Sequence, residues 1–187
     1  MKQNILIAIR LTVFCLIFFS GIYTLIILGA AQFAANKGNG EIIEHNGKTF
    51  FANIGQKFTE DKYFYSRPSA VDYNAAGAGG SNKGPSNPDY LKDVQSRVDS
   101  FLVHNPGINK NEIPADLVTA SGSGIDPNIS VMAANVQVKR IAAVRKISIG
   151  NIENLVSSQI EKPFMGMFGP EKINVLKLNI ALDELKN

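Results

Sequence analysis

Apolar residues are distributed unevenly along this chain, and one uninterrupted apolar run dominates its start. Residues 11–36 carry no charge and are dense in Leu, Ile and Phe, and Lys2 and Arg10 stand just before them. A helix of about twenty apolar residues, rising about 1.5 Å per residue, crosses a hydrocarbon core of about 30 Å. Residues 11–31 are long enough, so the pattern predicts one transmembrane helix. No later stretch of the sequence has this character.

After the apolar run, short amphipathic segments alternate with turn-forming residues. Residues 41–55 alternate apolar and polar positions around an Asn-Gly turn at Asn46, which favours a small hairpin. A single strand next to a loop is the alternative interpretation. Asn87 followed by Pro88 is typical of a helix start, and an apolar stripe with helical spacing continues from there to His104.

The second half of the chain predicts three more helices. Asp126 followed by a proline indicates a helix start, and the alanine-rich segment after it predicts a helix with a bend near Asn135. Residues 152–160 form another amphipathic stripe, and residues 172–185 predict a short strand followed by a final helix. The fold class predicted for the body is therefore α/β, richer in helix than in strand, as a single domain with a small sheet.

Two long segments fit neither helix nor strand. Residues 63–88 combine tyrosines with many glycines and prolines, and residues 114–127 combine serines, glycines and acidic residues. Loops of this length inside a compact domain are uncommon unless they bind or dock on something. We call residues 63–88 the first loop and residues 114–127 the second loop.

The charges next to the apolar run predict which side of the membrane the body occupies. Lys2 and Arg10 favour retention of the N-terminus in the cytoplasm. We therefore expect residues 1–36 to form a cytoplasmic N-terminus and a transmembrane helix in the cell membrane, and residues 37–187 to form an extracytoplasmic domain. A cleaved signal peptide is the alternative, but its apolar region is usually only about 7 to 15 residues long.

Composition narrows the function classes. Nineteen basic residues face sixteen acidic ones, and two of the basic residues flank the apolar run, so the body carries little net charge. This argues against a nucleic-acid partner. Cys15 is the only cysteine and lies in the apolar run, so the body has no cysteine for a disulfide or a metal site. Neither histidine has metal-ligand spacing, and no metal is expected.

Two segments resemble a phosphate-binding loop and a catalytic serine motif, but each lacks residues that the motif requires. The glycine-rich residues 77–84 resemble a phosphate loop, but Asn82 and Gly84 flank Lys83 where glycine and a hydroxyl residue are needed. Ser121 and Ser123 stand next to glycines, but neither has glycine two residues before and two residues after it, as a nucleophile elbow requires. We expect these serines to bind local backbone groups instead, and no catalytic residue is assigned.

The remaining candidates are polar, charged or histidine side chains. Asp116, Thr119 and Asp126 are expected to hydrogen-bond local backbone or cap helices, as such residues do in turns. His104 is expected to interact with the carbonyl end of its own helix. The basic residues near the loops are expected to pair with acids in the domain or on a partner; they are Arg67, Lys139, Arg140 and Arg145.

Several strings, taken in order, resemble one family. They are YSRPS at residues 65–69, GGSN at residues 79–82, GPSNP at residues 84–88 and PADLVTASGSG at residues 114–124. With the single N-terminal span and the ending at residues 173–183, they are similar to the C subunit of the Kdp-type potassium-transporting ATPase. The resemblance covers essentially the whole chain.

The resemblance implies a non-catalytic accessory subunit of an ATP-driven potassium importer. Its implied partners are a channel-like A subunit, a P-type ATPase B subunit, a small F subunit and the lipid bilayer. No cofactor is assigned to the chain, and ATP is expected to act through the B subunit. The family has also been described as a catalytic chaperone that raises the ATP affinity of the B subunit, with residues 79–81 likened to an ABC-transporter signature.

The catalytic-chaperone alternative requires a cytoplasmic body, because ATP is inside the cell. The charge of Arg10 argues that the body lies on the opposite side of the membrane. A membrane-anchored hydrolase using Ser121 or Ser123 is a third, more distant hypothesis. The candidate partner-binding or nucleotide-binding residues are Tyr65, Arg67, Gly79, Gly80, Ser81, Asn82, Asp116, Thr119, Ser121, Ser123 and Asp126.

Overall fold

The computed structural model describes residues 2–34 and 36–185. Contacts divide the chain into two compact units, residues 1–42 and residues 43–187. Parts of the predicted segments lie outside the described residues. These parts are Met1 in the predicted cytoplasmic N-terminus, Ala35 in the apolar run, and Lys186 and Asn187 at the end of the body.

The first unit contains one continuous helix, whose middle part is π-helical. Helix α1 (Lys2–Leu16) continues through a π-helical stretch (Ile17–Tyr23) into α2 (Thr24–Ala31). Within the described residues, Asn4–Ala31 is the one helix long and apolar enough to cross a membrane. The sequence predicted a plain α-helix here. The π-helical stretch contains Gly21, whose weak helix propensity permits such a distortion.

The second unit begins with the predicted hairpin. Strand β1 (Ile42–His45) and strand β2 (Lys48–Phe51) pair across a tight two-residue turn. The turn residues Asn46 and Gly47 have φ angles of 51° and 71°. Both central residues of a type I′ turn need positive φ, which Asn and Gly adopt most readily, so the Asn-Gly pair fixes the register of the hairpin.

Helix α3 (Pro88–His104) begins where the sequence predicted. The Asn87 side chain accepts hydrogen bonds from the amides of Asp89 and Tyr90, so it caps the helix. This cap satisfies two of the amides that the first turn leaves unpaired. The helix buries Val98 and Phe101 against the rest of the domain.

The next predicted helix starts later than expected. Ser130, not Asp126, caps α4 (Val131–Asn135), and α5 (Val138–Arg145) follows after the predicted bend. Asp126 does not cap because its carboxylate pairs with Arg67. The residues in between form β3 (Asn128–Ile129) instead of helix.

The C-terminal part has a shorter strand than predicted. Helix α6 (Ile149–Ser158) precedes β4 (Ile173–Asn174), and α7 (Val175–Glu184) follows directly. Strand β4 pairs antiparallel with β3, Ile129 opposite Ile173. The Asn174 side chain accepts a hydrogen bond from the Lys177 amide at 3.1 Å, which starts α7 and ends the strand early.

The hydrophobic core lies between helices α3 to α7 and the β3–β4 pair. It also takes in Phe64 from the first loop, which is fully buried. The core side chains with the lowest exposure are Phe64, Ala133, Ala134, Ile141, Ile152, Ile173, Leu178 and Leu182.

Candidate functional site

The two predicted loops are joined through their backbones. The Ser121 amide donates to the Pro68 carbonyl at 2.8 Å, and the Ala70 amide donates to the Ser121 carbonyl at 2.9 Å. Further along, the Gly79 amide donates to the Gly122 carbonyl at 2.8 Å. The first two bonds form a parallel bridge between Ser69 and Ser121, and the third accompanies an antiparallel bridge between Ala78 and Ser123. Together they make the two loops one layer. We call this layer the double-loop surface.

The glycine at position 124 is required by close backbone approach. A Cβ atom there would lie 2.5 Å from the Asn74 carbonyl oxygen and 2.6 Å from the Ala75 nitrogen. The carbonyl of Gly124 also accepts a hydrogen bond from the Gly55 amide at 2.8 Å. The glycine between Ser123 and Ile125 therefore serves packing of the loops, and it does not belong to a nucleophile elbow.

One ion pair crosses the double-loop surface. A guanidinium nitrogen of Arg67 lies 3.0 Å from the Asp126 carboxylate, and both side chains are about one-third exposed or less. The Arg67 Nε donates to the Thr119 carbonyl at 3.3 Å. The Tyr73 hydroxyl in turn donates to the Arg67 carbonyl at 3.0 Å. Arg67 thus ties the first loop to two points of the second loop, Thr119 in its interior and Asp126 near its end.

The hydroxyl groups of the second loop are engaged with backbone, as the sequence predicted. Ser121 donates to the Ser123 carbonyl at 2.9 Å, and Thr119 donates to the Ala115 carbonyl at 2.7 Å. The Ser123 hydroxyl accepts from the Ile125 amide at 3.1 Å. Asp116 accepts from the Ser130 amide at 2.7 Å, so it steadies the cap of α4.

The glycine-rich segment borders a shallow cavity of about 470 Å³. Its lining includes Ser81, Asn82, Lys83 and Asp93, and Asn82 has a φ of 53°. The Lys83 ammonium lies 3.0 Å from the Asp93 carboxylate, and this hydrogen bond lowers the pKa of Asp93. Lys83, the cation that would bind a phosphate in this segment, is therefore already paired with the carboxylate of Asp93.

Tyr65 belongs to a different cluster, in which side chains bind an extended backbone. The Tyr65 amide donates to the Gln137 side chain at 2.7 Å. The Phe64 amide donates to the Asn179 side chain at 2.8 Å, and the Asn179 side chain donates back to the Phe64 carbonyl at 3.0 Å. Gln137 is fully buried and Asn179 nearly so, which means that they replace a neighbouring strand for this part of the first loop.

Arg140 is buried at the centre of this second cluster, which we call the Arg140 cluster. Its guanidinium donates to the Asn105 side chain at 2.9 Å, to the Gln137 side chain at 2.7 Å and to the Tyr63 carbonyl at 3.0 Å. It also binds the Asp61 carbonyl and stacks 4.0 Å from the centre of the Tyr65 ring. Burial lowers the pKa of Arg140, and the hydrogen bonds that Arg140 donates offset the free-energy cost of burying its charge.

The Tyr65 hydroxyl donates to the Asp61 carboxylate, and His104 contacts the same carboxylate at 2.8 Å. Burial, together with this hydrogen bond, raises the pKa of Tyr65 to about 12. The hydrogen bond from Tyr65 lowers the pKa of Asp61. His104 therefore pairs with Asp61 instead of the carbonyl end of its own helix, because its ring reaches a negative charge just before the first loop.

The sequence-derived candidates thus fall into four groups. The double-loop surface brings together Arg67, Gly79, Thr119, Ser121, Ser123 and Asp126. Gly80, Ser81 and Asn82 border the shallow cavity, Tyr65 lies in the Arg140 cluster, and Asp116 lies at the start of α4.

Sequence reasoning missed Asp61, Gln137 and Asn179. A polar residue on an otherwise apolar helix face, such as Asn179 between Leu178 and Leu182, is the sequence feature that could have indicated such a buried hydrogen-bonding side chain. Of the basic residues singled out, Arg145 pairs with Asp183 at 2.6 Å. Its Nε also donates to the Lys62 carbonyl at 2.7 Å.

Comparisons with known proteins agree over nearly the whole chain. The family model described as "KdpC: K+-transporting ATPase, c chain" matches residues 5–184. The potassium-transporting ATPase KdpC subunit of Flavobacterium psychrophilum is 56% identical over 185 residues, which cover 98% of this chain and 100% of that protein. The subunit of the same name from Bacteroides fragilis is 48% identical over 189 residues, covering 99% of each chain. That from Caldanaerobacter subterraneus is 41% identical over 189 residues, covering 100% of this chain and 98% of its own length.

Proposed function

The chain belongs to the KdpC family of K+-transporting ATPase c chains, and from this premise we propose that it is a non-catalytic accessory subunit of an ATP-driven potassium importer. Its role is to stabilise the assembled complex and to support the ATP-hydrolysing subunit through protein contacts. The partners in this proposal are a channel-like A subunit, a P-type ATPase B subunit and a small F subunit. The chain is held in the cell membrane by its apolar helix.

The observation that carries the proposal is the cross-linking of the two loops. The polar side chains of the double-loop surface bind each other and the backbone, from the Arg67–Asp126 pair to the Ser121 hydroxyl on the Ser123 carbonyl. Such an arrangement holds a surface in one shape before binding, which reduces the entropy lost when a partner docks. It does not hold a serine next to a base, which is the arrangement that activates a nucleophile.

The orientation in this proposal follows from charge. Arg10 precedes the longest uncharged part of Asn4–Ala31, and short positive flanks remain in the cytoplasm. The body then lies outside, where the two loops contact the outer face of the complex and support assembly or ion entry.

The nucleotide-binding alternative has less structural support. A phosphate loop offers free backbone amides and an available lysine. Here the Gly79 amide already donates to the Gly122 carbonyl at 2.8 Å. The Lys83 ammonium is held 3.0 Å from Asp93.

Reporter fusions at the C-terminus test the orientation. Alkaline phosphatase becomes active only outside the cytoplasm, whereas green fluorescent protein exported in unfolded form stays dark. We expect an active phosphatase fusion and a dark fluorescent fusion. A bright fluorescent fusion with an inactive phosphatase would overturn the orientation and favour the nucleotide alternative.

Co-purification tests the accessory role. A tagged ATP-hydrolysing subunit should retain the chain, and a chain whose residues 4–31 are replaced by an unrelated apolar helix should still be retained through its loops. The matched variant carries Gly124→Ala together with the replaced helix and should be lost. Retention of both chains or loss of both would contradict docking through the double-loop surface.

A further inference from the structure

A short uncharged hairpin protrudes from the second unit between α6 and β4. We call residues 163–170 the apolar hairpin; their sequence is PFMGMFGP. Its four large side chains are unusually exposed. Their exposed fractions are 72% for Phe164, 74% for Met165, 76% for Met167 and 62% for Phe168. Large apolar side chains concentrated at one exposed place mark an interaction site.

Four backbone amides of the hairpin donate hydrogen bonds to carbonyls within the hairpin. The amides of Phe164 and Phe168 each donate to the other residue's carbonyl at 3.0 Å. The Gly166 amide donates to the Pro163 carbonyl at 2.9 Å, and the Met167 amide donates to the Phe164 carbonyl at 3.2 Å. Four amides of the tip are thus satisfied without water. Satisfied backbone groups are the condition for entering a hydrocarbon layer at low cost.

The base of the hairpin is polar and fixed to the core. Glu161 and Lys172 exchange backbone hydrogen bonds of 2.8 and 3.2 Å, and their side chains lie 3.6 Å apart. Strand β4 follows immediately and pairs with β3 in the core. The apolar tip therefore stands on a rigid base. Lys162 and Lys172 lie in this base, where the apolar tip gives way to polar residues.

The bilayer is the occupant that these observations favour. A protruding tip with no charge over eight residues enters a fluid layer without needing a matched pocket, and the lysines at its base suit the headgroup region. The same chain carries the apolar helix Asn4–Ala31, so a membrane is always tethered to the body.

We propose that the apolar hairpin inserts Phe164, Met165, Met167 and Phe168 into the boundary between headgroups and acyl chains of the bilayer that holds the chain's own helix. The hairpin then restrains the body against the membrane surface as a second point of attachment. This inference goes beyond the accessory function and holds for either leaflet. Failure of the topology experiment would therefore leave it intact.

Tryptophan quenching tests the inference directly, because the chain contains no tryptophan. The full-length variants Phe168→Trp and Met167→Trp are reconstituted in phosphatidylcholine vesicles with or without brominated acyl chains. Val103→Trp is the matched control, since Val103 is 78% exposed near the end of α3, away from the hairpin in sequence. Phe19→Trp, in the apolar helix, gives the signal of full insertion.

We expect brominated lipid to quench both hairpin variants at least about twofold more than the Val103→Trp control, with emission shifted to the blue. The same excess should persist in the assembled complex. Quenching equal to that of the control would overturn the inference. So would protection from aqueous iodide in the complex without lipid quenching, because that result would assign the hairpin to an apolar pocket on another subunit.

Discussion

Asn179 of α7 holds both backbone polar groups of Phe64, accepting from the amide at 2.8 Å and donating to the carbonyl at 3.0 Å. A single side-chain amide thus pairs with the first loop as a neighbouring strand would. Phe64 itself is fully buried in the core. The pairing fixes where the first loop leaves the core.

Replacing Asn179 by alanine should destabilise the body strongly. Two buried backbone groups of Phe64 would lose their partners, at an expected cost of about 2 to 4 kcal/mol. Urea unfolding of the detergent-solubilised chain, followed by near-ultraviolet circular dichroism, measures this change. Asn151→Ala, at an exposed position of α6, should stay within about 0.5 kcal/mol of the original chain. Equal stability of the two variants would contradict the role of Asn179.

The Arg67–Asp126 pair should contribute measurable coupling between the two loops. Its side chains are 32% and 27% exposed, so solvent screens the charges only in part. A double-mutant cycle with Arg67→Ala and Asp126→Ala should give a coupling energy of about 0.5 to 1.5 kcal/mol in unfolding experiments.

The pair Lys57–Asp72 is the matched control for that cycle. Its charges lie 2.9 Å apart, but its side chains are 58% and 78% exposed. Its cycle should give a coupling energy near zero, because exposed pairs contribute little. The same energy in both cycles would show that Arg67 does not act as a tie between the loops.

Local signals in the sequence predicted the local structure. The hairpin around Asn46 and the start of α3 at Asn87 depend on residues next to each other, and both predictions are confirmed. The family resemblance is confirmed over residues 5–184. Near Asp126 the prediction of a helix cap was wrong, because a partner from another loop, Arg67, takes the carboxylate.

Long-range pairing could not be predicted in the same way. Asn179 and Phe64 are 115 positions apart, and Gln137 is 72 positions from Tyr65. Nothing in helical periodicity states which backbone segment a buried amide will bind. The two loops were predicted as functional segments, but their backbone bonds, such as Ser121 to Pro68, depend on the folded arrangement.

Tyr65 should give the body a measurable alkaline instability. Burial and the hydrogen bond to Asp61 raise the pKa of Tyr65 to about 12, whereas an unfolded tyrosine titrates near about 10. The folded state favours the neutral phenol, so this stabilisation is complete below about pH 10 and is lost as the pH rises towards about 12. In Tyr65→Phe, the unfolding temperature should fall less steeply across this range.

Circular dichroism melts between pH 9 and pH 12 at about 0.5-unit steps check the effect. Some alkaline loss should remain, because burial also raises the pKa of Tyr63 and of Tyr73. The control Tyr90→Phe removes a phenol on α3 and leaves the contact with Asp61 in place. A Tyr65→Phe profile that matched the original chain would argue against a raised pKa at Tyr65.

Substitution of Lys83 distinguishes the accessory role from direct nucleotide binding. Its ammonium lies 3.0 Å from Asp93, so we expect Lys83→Ala to leave the ATP KM of the assembled complex unchanged. Direct nucleotide binding by the glycine-rich segment predicts a KM rise of about tenfold, the usual effect of losing a charged contact to phosphate. Lys57→Ala removes another exposed lysine that is paired with an acid and controls for the loss of charge.

Gly124 should tolerate no side chain, whereas Gly84 should accept one. A Cβ at position 124 would lie 2.5 Å from the Asn74 carbonyl oxygen, and backbone atoms on both loops would have to move. Gly124→Ala should therefore cost at least about 2 kcal/mol of unfolding free energy. At Gly84 a Cβ meets nothing within 4 Å, so Gly84→Ala should change stability by less than about 0.5 kcal/mol. Urea unfolding of both variants decides the matter, and a Gly124→Ala chain as stable as Gly84→Ala would mean that the two loops are not held in contact at this point.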